Sequence, residues 1–429
     1  MKLLAFLLVL GSLRAAEHTL APGVRLEERE FRRLDQGPFR SWILRIDAKQ
    51  PALNVLPLHA GEKAVGWATT DEMAKRYGAL AAVNGGYFAF GRYAGISKNN
   101  YVWNGRVWGT WKDRGSLVLC QETNGVESWR AGISRFAGGI EVGKEKWVLD
   151  GVNRERGTGE LIWYTSDFAG STRTSGGVEV ELDANGIVRA IRKDGDSALP
   201  AVGSILSADG RAAVWLQKVA VVGKKIKVTA KVEQPLCTAQ DLVSAGPLLV
   251  WEGKVDLSET GFAHAMARHP RTAAGVTRDG QLLLVVVDGR SSASVGMTIA
   301  ELAEFLAELG AWEAVNLDGG GSSTLYAAGK IWNRPSDGRT RKVSDALLLF
   351  SLPDWPTLEE HLDLWSQDPN LLAKADAERW RQLGRRGEFQ KILAEVGRGR
   401  ASEMVKRILK EALEALAYNR ANGVSARPR

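Results

Sequence analysis

Residues 268–326 read RHPRTAAGVTRDGQLLLVVVDGRSSASVGMTIAELAEFLAELGAWEAVNLDGGGSSTLY and hold the most decisive pattern of the chain. Two apolar runs, LLLVVV and AWEAVNL, each end in an aspartate followed by glycine, at Asp288 and Asp318. Between them, Thr298 and Glu301 have the spacing of a capping box, which predicts the start of a helix. The stretch therefore predicts strand, helix and strand, with an acid at the end of each strand.

A similar order occurs nearer the N-terminus. Thr69 and Glu72 have capping-box spacing, and the short helix they predict is followed by an apolar strand from Ala79 to Val83. That strand ends in the glycine turn that begins at Asn84. We expect the two helix–strand–turn segments to be αβ units of one sheet.

The rest of the chain divides into segments with different patterns of apolar residues. Residues 25–60 alternate apolar and polar positions and predict strands. Residues 110–240 lack helical periodicity and contain turn dipeptides, among them Asp209-Gly210, so they predict a β-rich block of hairpins. From residue 353 apolar residues recur at helical spacing, which predicts two or three amphipathic helices. The predicted fold is α+β: a mixed sheet with flanking helices, a β-rich middle block and a C-terminal helical extension.

Composition limits the classes of partner. The chain has 429 residues and a formal charge of +7, part of which comes from its arginine-rich C-terminal region. A basic protein can bind nucleic acid, but no zinc-ligand spacing, RNA-binding signature or sustained Lys/Arg stripe is present. We therefore predict no nucleic-acid partner. No set of ligands at metal-binding spacing appears either, so the sequence predicts neither a metal nor a cofactor.

The N-terminus predicts export. Lys2 precedes an apolar run and a pair of alanines, which is the pattern of a secretory signal peptide over residues 1–16. Since no other long apolar run follows, we expect an exported protein, periplasmic or extracellular, with no stable membrane span after signal removal. The chain has two cysteines, Cys120 and Cys237, and the sequence leaves open whether they pair.

Glycine turns and arginines suggest anion binding. Glycine at a strand end lets a ligand approach the backbone and exposes N–H donors, and arginine offers a planar two-pronged donor set to phosphate or carboxylate. On these grounds the sequence predicts binding roles for one set of residues: Asn84, Gly85, Gly86, Arg271, Thr272, Arg290, Gly319, Gly320, Gly321 and Ser322.

Asp288 and Asp318 are the predicted catalytic residues. Paired carboxylates suit glycosyl transfer, in which one group stabilises or attacks the anomeric carbon and another handles the proton. The alternative is that each acid only caps its turn, since Asp-Gly is ordinary turn chemistry. Three tryptophans, Trp103, Trp108 and Trp111, stand close together and could face a sugar ring, but tryptophan usually packs in a core, so we leave them outside the site.

Five motifs in order carry a resemblance to a known family: Asn84–Phe88 (NGGYF), 245–248 (AGPL), 268–273 (RHPRTA), 287–290 (VDGR) and 316–323 (NLDGGGSS). Together they resemble the phosphodiester glycosidase family, over roughly residues 40 to 352. We accordingly predict a phosphodiester glycosidase-like domain over residues 17–352, containing the β-rich block, and a basic helical extension over residues 353–429.

The resemblance implies hydrolysis of a sugar 1-phosphodiester at the anomeric C–O bond, with release of a phosphomonoester. The expected partner is a sugar-phosphate diester or a phosphoglycan of the envelope or extracellular material. Two alternatives remain open: a non-catalytic binder of anionic glycans, and a metal-assisted phosphodiesterase with Asp288 and Asp318 as ligands. The sequence does not determine the sugar, the aglycone, the stereochemical outcome or the oligomeric state.

Overall fold

The structure is a computed structural model, and it describes residues 10–33, 36–50, 52–61, 63–121, 127–234, 237–259 and 263–421. In these residues the first strands are β1 (Leu10–Ala21), β2 (Val24–Arg33), β3 (Gln36–Ile46), β4 (Leu53–His59), β5 (Ala68–Thr69), β6 (Ala81–Asn84), β7 (Tyr101–Trp103), β8 (Arg106–Gly109), β9 (Arg114–Gln121), β10 (Glu127–Val142), β11 (Glu145–Val148), β12 (Gly151–Val152), β13 (Leu161–Thr165) and β14 (Val178–Leu182). The later strands are β15 (Val188–Arg192), β16 (Ser204–Ala208), β17 (Lys227–Glu233), β18 (Thr238–Ser244), β19 (Leu248–Trp251), β20 (Lys254–Val255), β21 (Arg271–Thr277), β22 (Leu282–Val287), β23 (Ala311–Asn316), β24 (Leu325–Ala327), β25 (Lys330–Ile331), β26 (Lys342–Val343) and β27 (Asp345–Ser351).

The helices of the described residues are α1 (Thr70–Tyr77), α2 (Gly210–Val219), α3 (Ala263–Met266), α4 (Ile299–Glu308), α5 (Trp355–Ser366), α6 (Lys374–Arg385), α7 (Phe389–Val396) and α8 (Glu403–Ala421). Short 3₁₀ turns cover Gly91–Tyr93 and Gly320–Ser322. The predicted α+β class with a β-rich middle block is confirmed.

Two sheets contain the strands of the two predicted αβ units. The large sheet has the order β1-β2-β3-β22-β21-β23-β19-β20 and is antiparallel throughout. The small sheet has the order β25-β24-β6-β27-β4. The middle block forms a sheet in which β12 and β13 pair in parallel, and a further sheet whose path is β11-β10-β9-β18-β7-β8.

The apolar runs of these sheets are continuous because both faces of each sheet are covered. In β22, Leu282, Leu284 and Val286 pack into one core cluster while the alternate residues pack into another, beneath α4. The small sheet behaves in the same way. Leu347 and Leu349 of β27 face the central core, whereas Leu348 faces a cluster that includes residues of α5, α6, α7 and α8. The C-terminal helices therefore cover one face of the small sheet.

Both predicted capping boxes are present. Thr69 accepts a hydrogen bond from the Glu72 N–H at the start of α1, and Thr298 accepts one from the Glu301 N–H at the start of α4. In each case the glutamate side chain accepts a hydrogen bond from the backbone N–H of the threonine. Local sequence is sufficient for these two helices because every group of the motif lies within four residues.

Three predictions about elements are wrong. The two αβ units do not share a sheet: β6 pairs with β24 and β27, whereas β23 pairs with β21 and β19. Asp209-Gly210 does not turn a hairpin but begins α2, whose Ala212, Trp215, Leu216 and Val219 are buried at helical spacing. The extension has four helices in its described part, more than the two or three predicted.

The N-terminal prediction falls partly outside the described residues. Residues 1–9 of the predicted signal peptide lie there, and residues 10–16 form the first part of β1, at the edge of the large sheet. The two cysteines form a disulfide, with Cα atoms 5.5 Å apart. None of the helices in the described segments combines the length and the apolar character needed to cross a membrane.

Candidate active site

The ends of strands from two different sheets meet at Asp318. The backbone N–H of Asp318 donates to the Gly85 carbonyl at 2.9 Å, and the Asn84 side-chain amide donates to the Asp318 carbonyl at 2.7 Å. Asp318 follows β23 of the large sheet, whereas Asn84 ends β6 of the small sheet. The two glycine turns predicted from sequence therefore form one site.

Asn84 is the central cross-link of this junction and is fully buried. Its Oδ1 accepts hydrogen bonds from the Thr272 hydroxyl at 2.8 Å and from the Thr324 N–H at 3.2 Å. Because the amide also donates to Asp318, Asn84 links β6, β21 and the turn that contains Gly319, Gly320 and Gly321, here named the triple-glycine turn. Asn84 therefore fixes the relative positions of the backbone segments that form the site.

Most of the glycines are required by close approach rather than by a left-handed backbone. A Cβ at Gly85 would lie 1.9 Å from Asp345 Oδ1, and one at Gly86 would lie 2.7 Å from the Ser244 carbonyl oxygen. At Gly319 the obstacle would be the Pro270 carbonyl oxygen, at 2.8 Å. Among the five predicted glycines only Gly320 has a positive φ, of 65°.

Asp318 has the electrostatics of an acid–base residue. It is half-buried, and its Oδ1 accepts a hydrogen bond from the Gly319 N–H at 2.9 Å. Burial raises the pKa of Asp318 to about 7, and the nearby Asp345 carboxyl acts in the same direction, while Ser322 and Arg341 oppose the shift. A carboxyl that titrates near neutrality can exchange protons with a substrate at physiological pH.

Arg271 is a buried cation beside the same turn, with 5% of its surface exposed. Its guanidinium donates to three backbone carbonyls, those of Met297 at 2.8 Å, His264 at 2.9 Å and Ala267 at 2.8 Å. In the part of the chain described, no carboxylate pairs with it as a salt bridge. Burial, assisted by the neighbouring Arg290, lowers the pKa of Arg271 to about 10.

Two arginine side chains lie beside the first two glycines of the turn. The Cδ of Arg271 lies 3.8 Å from where a Cβ of Gly319 would be, and the Nη2 of Arg290 lies 3.1 Å from the equivalent position at Gly320. Arg290 itself has a φ of 60° and contacts His269 Nδ1 at 3.3 Å. Burial and the two arginines lower the pKa of His269. This side of the turn is therefore strongly cationic.

Asp288 is connected to the triple-glycine turn through Asn333. Its carboxylate is buried and accepts hydrogen bonds from the Arg334 N–H at 2.9 Å and from the Asn333 amide at 3.3 Å. Asn333 in turn donates to the Ser323 carbonyl at 2.9 Å. Burial raises the pKa of Asp288 to about 6. Its oxygens are thus engaged by the segment that supports the triple-glycine turn.

The hydroxyls after the glycines line the same region. Ser322 lies close to the Asp318 carboxylate and opposes the rise of its pKa, but its buried hydroxyl makes no hydrogen bond of ordinary geometry to a described residue. The hydroxyls of Ser323 and Thr324 are buried and have no hydrogen-bond partner among the described residues. Of the predicted residues, Asn84, Gly85, Gly86, Thr272, Arg271, Arg290, Asp318, Gly319, Gly320, Gly321 and Ser322 surround one turn, and Asp288 is linked to it by Asn333.

Sequence reasoning missed Asp345. Its Oδ1 accepts a hydrogen bond from the Gly86 N–H at 2.8 Å, and its Oδ2 accepts one from the Ser344 hydroxyl. Burial raises the pKa of the Asp345 carboxyl and lowers that of the neighbouring His59. The available signal was an acid that precedes an apolar run, ALLLF, rather than one that follows it.

Tyr87, in the NGGYF motif, is a second residue of this region that the sequence did not assign. Its hydroxyl accepts a hydrogen bond from the Asn316 amide at 2.9 Å and donates to the Gly246 carbonyl at 3.2 Å. Burial, with the charge of Asp318, raises the pKa of Tyr87 to about 12. The same ring lines a cavity of about 240 Å³, whose other walls are Lys98, Asn99, Trp111, Lys112 and Arg114. A cationic, aromatic cavity thus adjoins the Asp318 turn.

A metal centre is not evident from the donor groups. Within the described ranges, no three His, Cys, Asp or Glu side chains come together in a group that could hold a metal ion.

Comparison with known proteins finds a family and several proteins that are similar to parts of this chain. Residues 176–350 match the family model described as phosphodiester glycosidase. A prophage-derived uncharacterized protein, YomE of Bacillus subtilis, is 38% identical over 117 residues, which are 27% of this chain and 18% of that protein. Mouse N-acetylglucosamine-1-phosphodiester alpha-N-acetylglucosaminidase is 41% identical over 86 residues, 19% of this chain and 16% of that one.

The match thus spans less than a fifth of the length of either curated relative. A solved structure of a hypothetical protein from Synechocystis covers 79% of this chain, and 64% of its own, with a TM-score of 0.69 and 23% identity, which shows a shared fold. These matches confirm the predicted resemblance: residues 176–350 of this chain are similar to the phosphodiester glycosidase family.

Proposed function

We propose that this protein hydrolyses a sugar 1-phosphodiester at the anomeric C–O bond and releases a phosphomonoester. One observation carries the proposal. A carboxyl with a pKa near 7, Asp318, directly precedes Gly319, and the side chain of Arg271, a buried cation without a carboxylate partner among the described residues, lies beside the same glycine. The first group can move a proton, and the second can hold a phosphate.

In the proposed reaction Asp318 acts as the general base. A water molecule gives its proton to the Asp318 carboxylate as its oxygen bonds to the anomeric carbon, and the electrons of the breaking C–O bond pass to the phosphate oxygen. Because the second pKa of a phosphomonoester is about 6, this leaving group needs little protonation. Its charge is met by Arg271, Arg290 and the N–H groups of the triple-glycine turn.

Asp288 takes a different place in the proposal. Since its oxygens accept hydrogen bonds from Arg334 and Asn333, we assign it to positioning the triple-glycine turn through Ser323. The prediction that it is itself catalytic stays a prediction. The cavity beside Tyr87 supplies cations and aromatic rings for the aglycone of an anionic glycan.

Export is part of the proposal. The signal-like pattern of residues 1–16 and the Cys120–Cys237 disulfide both support it, because disulfides persist mainly in oxidising compartments. The substrate would then be envelope or extracellular glycan. Fractionation of the native host, with N-terminal sequencing of the mature chain, tests this part. Recovery of unprocessed chain from the cytosol alone would contradict it.

The decisive test of the reaction is oxygen labelling. The full chain is incubated in ¹⁸O water with a synthetic N-acetylglucosaminyl or glucosyl 1-phosphodiester, and both products are analysed by mass spectrometry. Cleavage at the anomeric carbon places the label in the free sugar. Label in the phosphate would instead identify a phosphodiesterase, and binding without turnover would leave a non-catalytic glycan binder.

A further inference from the structure

A second cavity lies between strands β4, β7 and β8 on one side and the helical extension on the other. Its volume is about 470 Å³, within the range of small-molecule sites, and none of the predicted site residues lines it. One wall comes from β4, β7 and β8, and the other comes from the turn at Pro369 and the segment from Arg400 to Met404.

The first wall is aromatic. The ring centroid of Trp108 lies 6.1 Å from that of Trp103, 6.2 Å from that of Tyr101 and 5.5 Å from that of His59. Such a cluster presents broad apolar faces with polar edges. It contains Trp103 and Trp108, two of the three tryptophans that stand close together in the sequence, whereas Trp111 lines the cavity beside Tyr87.

The polar edges of this wall lack partners. The hydroxyl of Tyr101 and the indole N–H groups of Trp103 and Trp108 are buried and make no hydrogen bond in the part of the chain that the structure describes. An unsatisfied buried donor costs about 1–3 kcal/mol, so three at one cavity are unusual. A ligand rich in hydroxyl groups would satisfy them.

The second wall is polar, and the charges around the cavity balance. The extension contributes Asn370 and Ser402, which offer amide and hydroxyl groups. Arg106 forms an ion pair with Asp167, and Glu403 forms one with Lys406, so the lining itself holds two cations, Arg106 and Arg400, and two acids, Asp167 and Glu403. The cavity therefore differs from the cationic surroundings of Arg271, and it favours a neutral ligand.

We infer that this cavity is a saccharide-binding site for a neutral sugar unit of a glycan. The aromatic faces would stack on the C–H face of the ring, while the indole N–H groups, Asn370 and Ser402 would bond its hydroxyls. Hydrolysis at Asp318 is not needed for this binding.

The extension holds the cavity in shape. Arg407 of α8 forms a buried ion pair with Asp241 of β18, with Nη1 to Oδ1 at 2.7 Å, and its guanidinium lies 6.0 Å from the Trp103 ring. In addition, Trp365 of α5 donates to the Tyr77 carbonyl at 3.0 Å. Preformed walls reduce the entropy lost on binding. Completing this site gives the extension a role.

The test is calorimetric titration of the full chain with maltotriose, cellotriose and tri-N-acetylchitotriose. We expect at least one of them to bind, and we expect Trp108→Phe and Ser402→Ala each to weaken it about tenfold, the loss of roughly one hydrogen bond. Trp108→Phe keeps an aromatic ring but removes the unpartnered N–H together with part of the indole, so a modest loss of thermal stability is expected and the titration is run at a temperature where the variant is folded. Ser402→Ala repeats the test at a half-exposed position of the other wall, and its thermal midpoint is measured alongside because the Ser402 hydroxyl also accepts a hydrogen bond from the Val405 N–H at 3.3 Å.

Two controls separate this site from the catalytic one. Trp147→Phe, at a tryptophan stacked on Trp215 in the middle block, and Asp318→Asn should both leave the affinity unchanged. Absence of binding to all three sugars would overturn the inference, as would unchanged affinity in Trp108→Phe and Ser402→Ala. Affinity lost in Asp318→Asn alone would place the sugar in the catalytic turn, which contradicts this inference and leaves the proposed function standing.

Discussion

At the scale of single residues, the chemistry depends on how Asp318 is held. Its backbone is fixed by Gly85 and Asn84, so its carboxyl stays beside the turn in a half-buried position, where burial raises its pKa to about 7. A residue of this kind is useful as a base only above its pKa, and that gives the proposal a definite pH dependence.

We predict that Asp318→Asn lowers kcat about 10²–10⁴-fold, the usual contribution of a general base. In the wild type, kcat/KM should rise with pH through an apparent pKa near 7, because the ionised form is the active one. Steady-state kinetics between pH 5 and 9 measures both effects. Asp279→Asn, at an exposed turn, is the control, and retained activity in Asp318→Asn would remove its catalytic role.

The Asp318 carboxyl should lower the free energy of unfolding at high pH. The pKa of Asp318 is higher in the folded chain than its ordinary value of 3.8, so the folded state binds more protons between about pH 4 and 7, and stability declines as the pH rises through this window. We predict that Asp318→Asn raises the free energy of unfolding by about 1–2 kcal/mol at pH 8, after allowance for its contact with solvent, and has little effect at pH 3.5. Denaturant titrations at both pH values check this. A destabilised variant at pH 8 would contradict it.

Gly85 tests the close packing of the two strand ends. We predict that Gly85→Ala destabilises the fold by about 1–3 kcal/mol and reduces activity, because its Cβ would meet Asp345 Oδ1 at 1.9 Å. Gly109→Ala is a matched control, since nothing lies within 4 Å of its Cβ position and its φ is not positive. It should change stability by less than about 0.5 kcal/mol. Equal effects of the two substitutions in thermal unfolding would show that packing at Gly85 is not limiting.

Residue types and spacing predicted most of this site. Acids next to glycine at strand ends, and an arginine at a strand entrance, were visible as local patterns. Asp345 was missed because it begins its strand instead of following one, and only the pairing of β27 with β6 brings it to Gly86. The positioning contacts of Asp288 were equally hidden, since Arg334 is 46 residues away in the chain.

At the scale of elements, one buried ion pair adds to the apolar packing of helix α8. Asp241 is fully buried and Arg407 is 7% exposed, so neither charge can return to water when its partner is removed. The pair lies between the extension and β18, a strand of the middle block.

We predict that Arg407→Ala lowers the free energy of unfolding by about 3–5 kcal/mol, because Asp241 is then left as an uncompensated buried charge. Arg379→Ala, which removes the exposed ion pair with Glu395, should cost less than about 1 kcal/mol. Urea denaturation compares the two. A cost at Arg407 no larger than that at Arg379 would show that α8 is held by its apolar face alone.

Element prediction succeeded where the determinants are local. The capping boxes of α1 and α4 and the apolar run of β22 were readable because each signal lies within about ten residues. The sheet membership of β6 and β23 was not, since it depends on which distant strands pair with them. Helix α2 was missed because Asp-Gly is equally suited to a turn and to a helix start.

At the scale of the whole molecule, the disulfide links β9 to the start of β18 across 117 residues of sequence. We predict that the double variant Cys120→Ala, Cys237→Ala lowers the free energy of unfolding by about 2–4 kcal/mol, as expected for a bond that closes a long loop. Activity at a temperature where the variant is folded should be unchanged, because neither cysteine touches the catalytic turn. Chemical denaturation with and without reductant measures the effect, and equal stability would contradict the prediction.

The helical extension is not an appendage in this structure. Leu362, Trp365 and Leu409 share a core cluster with Leu56, Ala82 and Leu348 of the small sheet. The sequence marked a boundary at residue 353 by a change of periodicity. Periodicity shows that a helix has an apolar face, but it does not show which surface that face covers.

The sequence by itself determined the α+β class, the two capped helices, the acids and glycines of the site, and the resemblance to the phosphodiester glycosidase family. These are set by residue type and short spacing. Only the tertiary structure decided that strand ends from two sheets meet at Asp318, that Arg271 is buried there without a carboxylate partner among the described residues, and that the extension closes a second cavity. Each of these depends on contacts between residues far apart in the chain, where burial changes pKa values and pairing decides position.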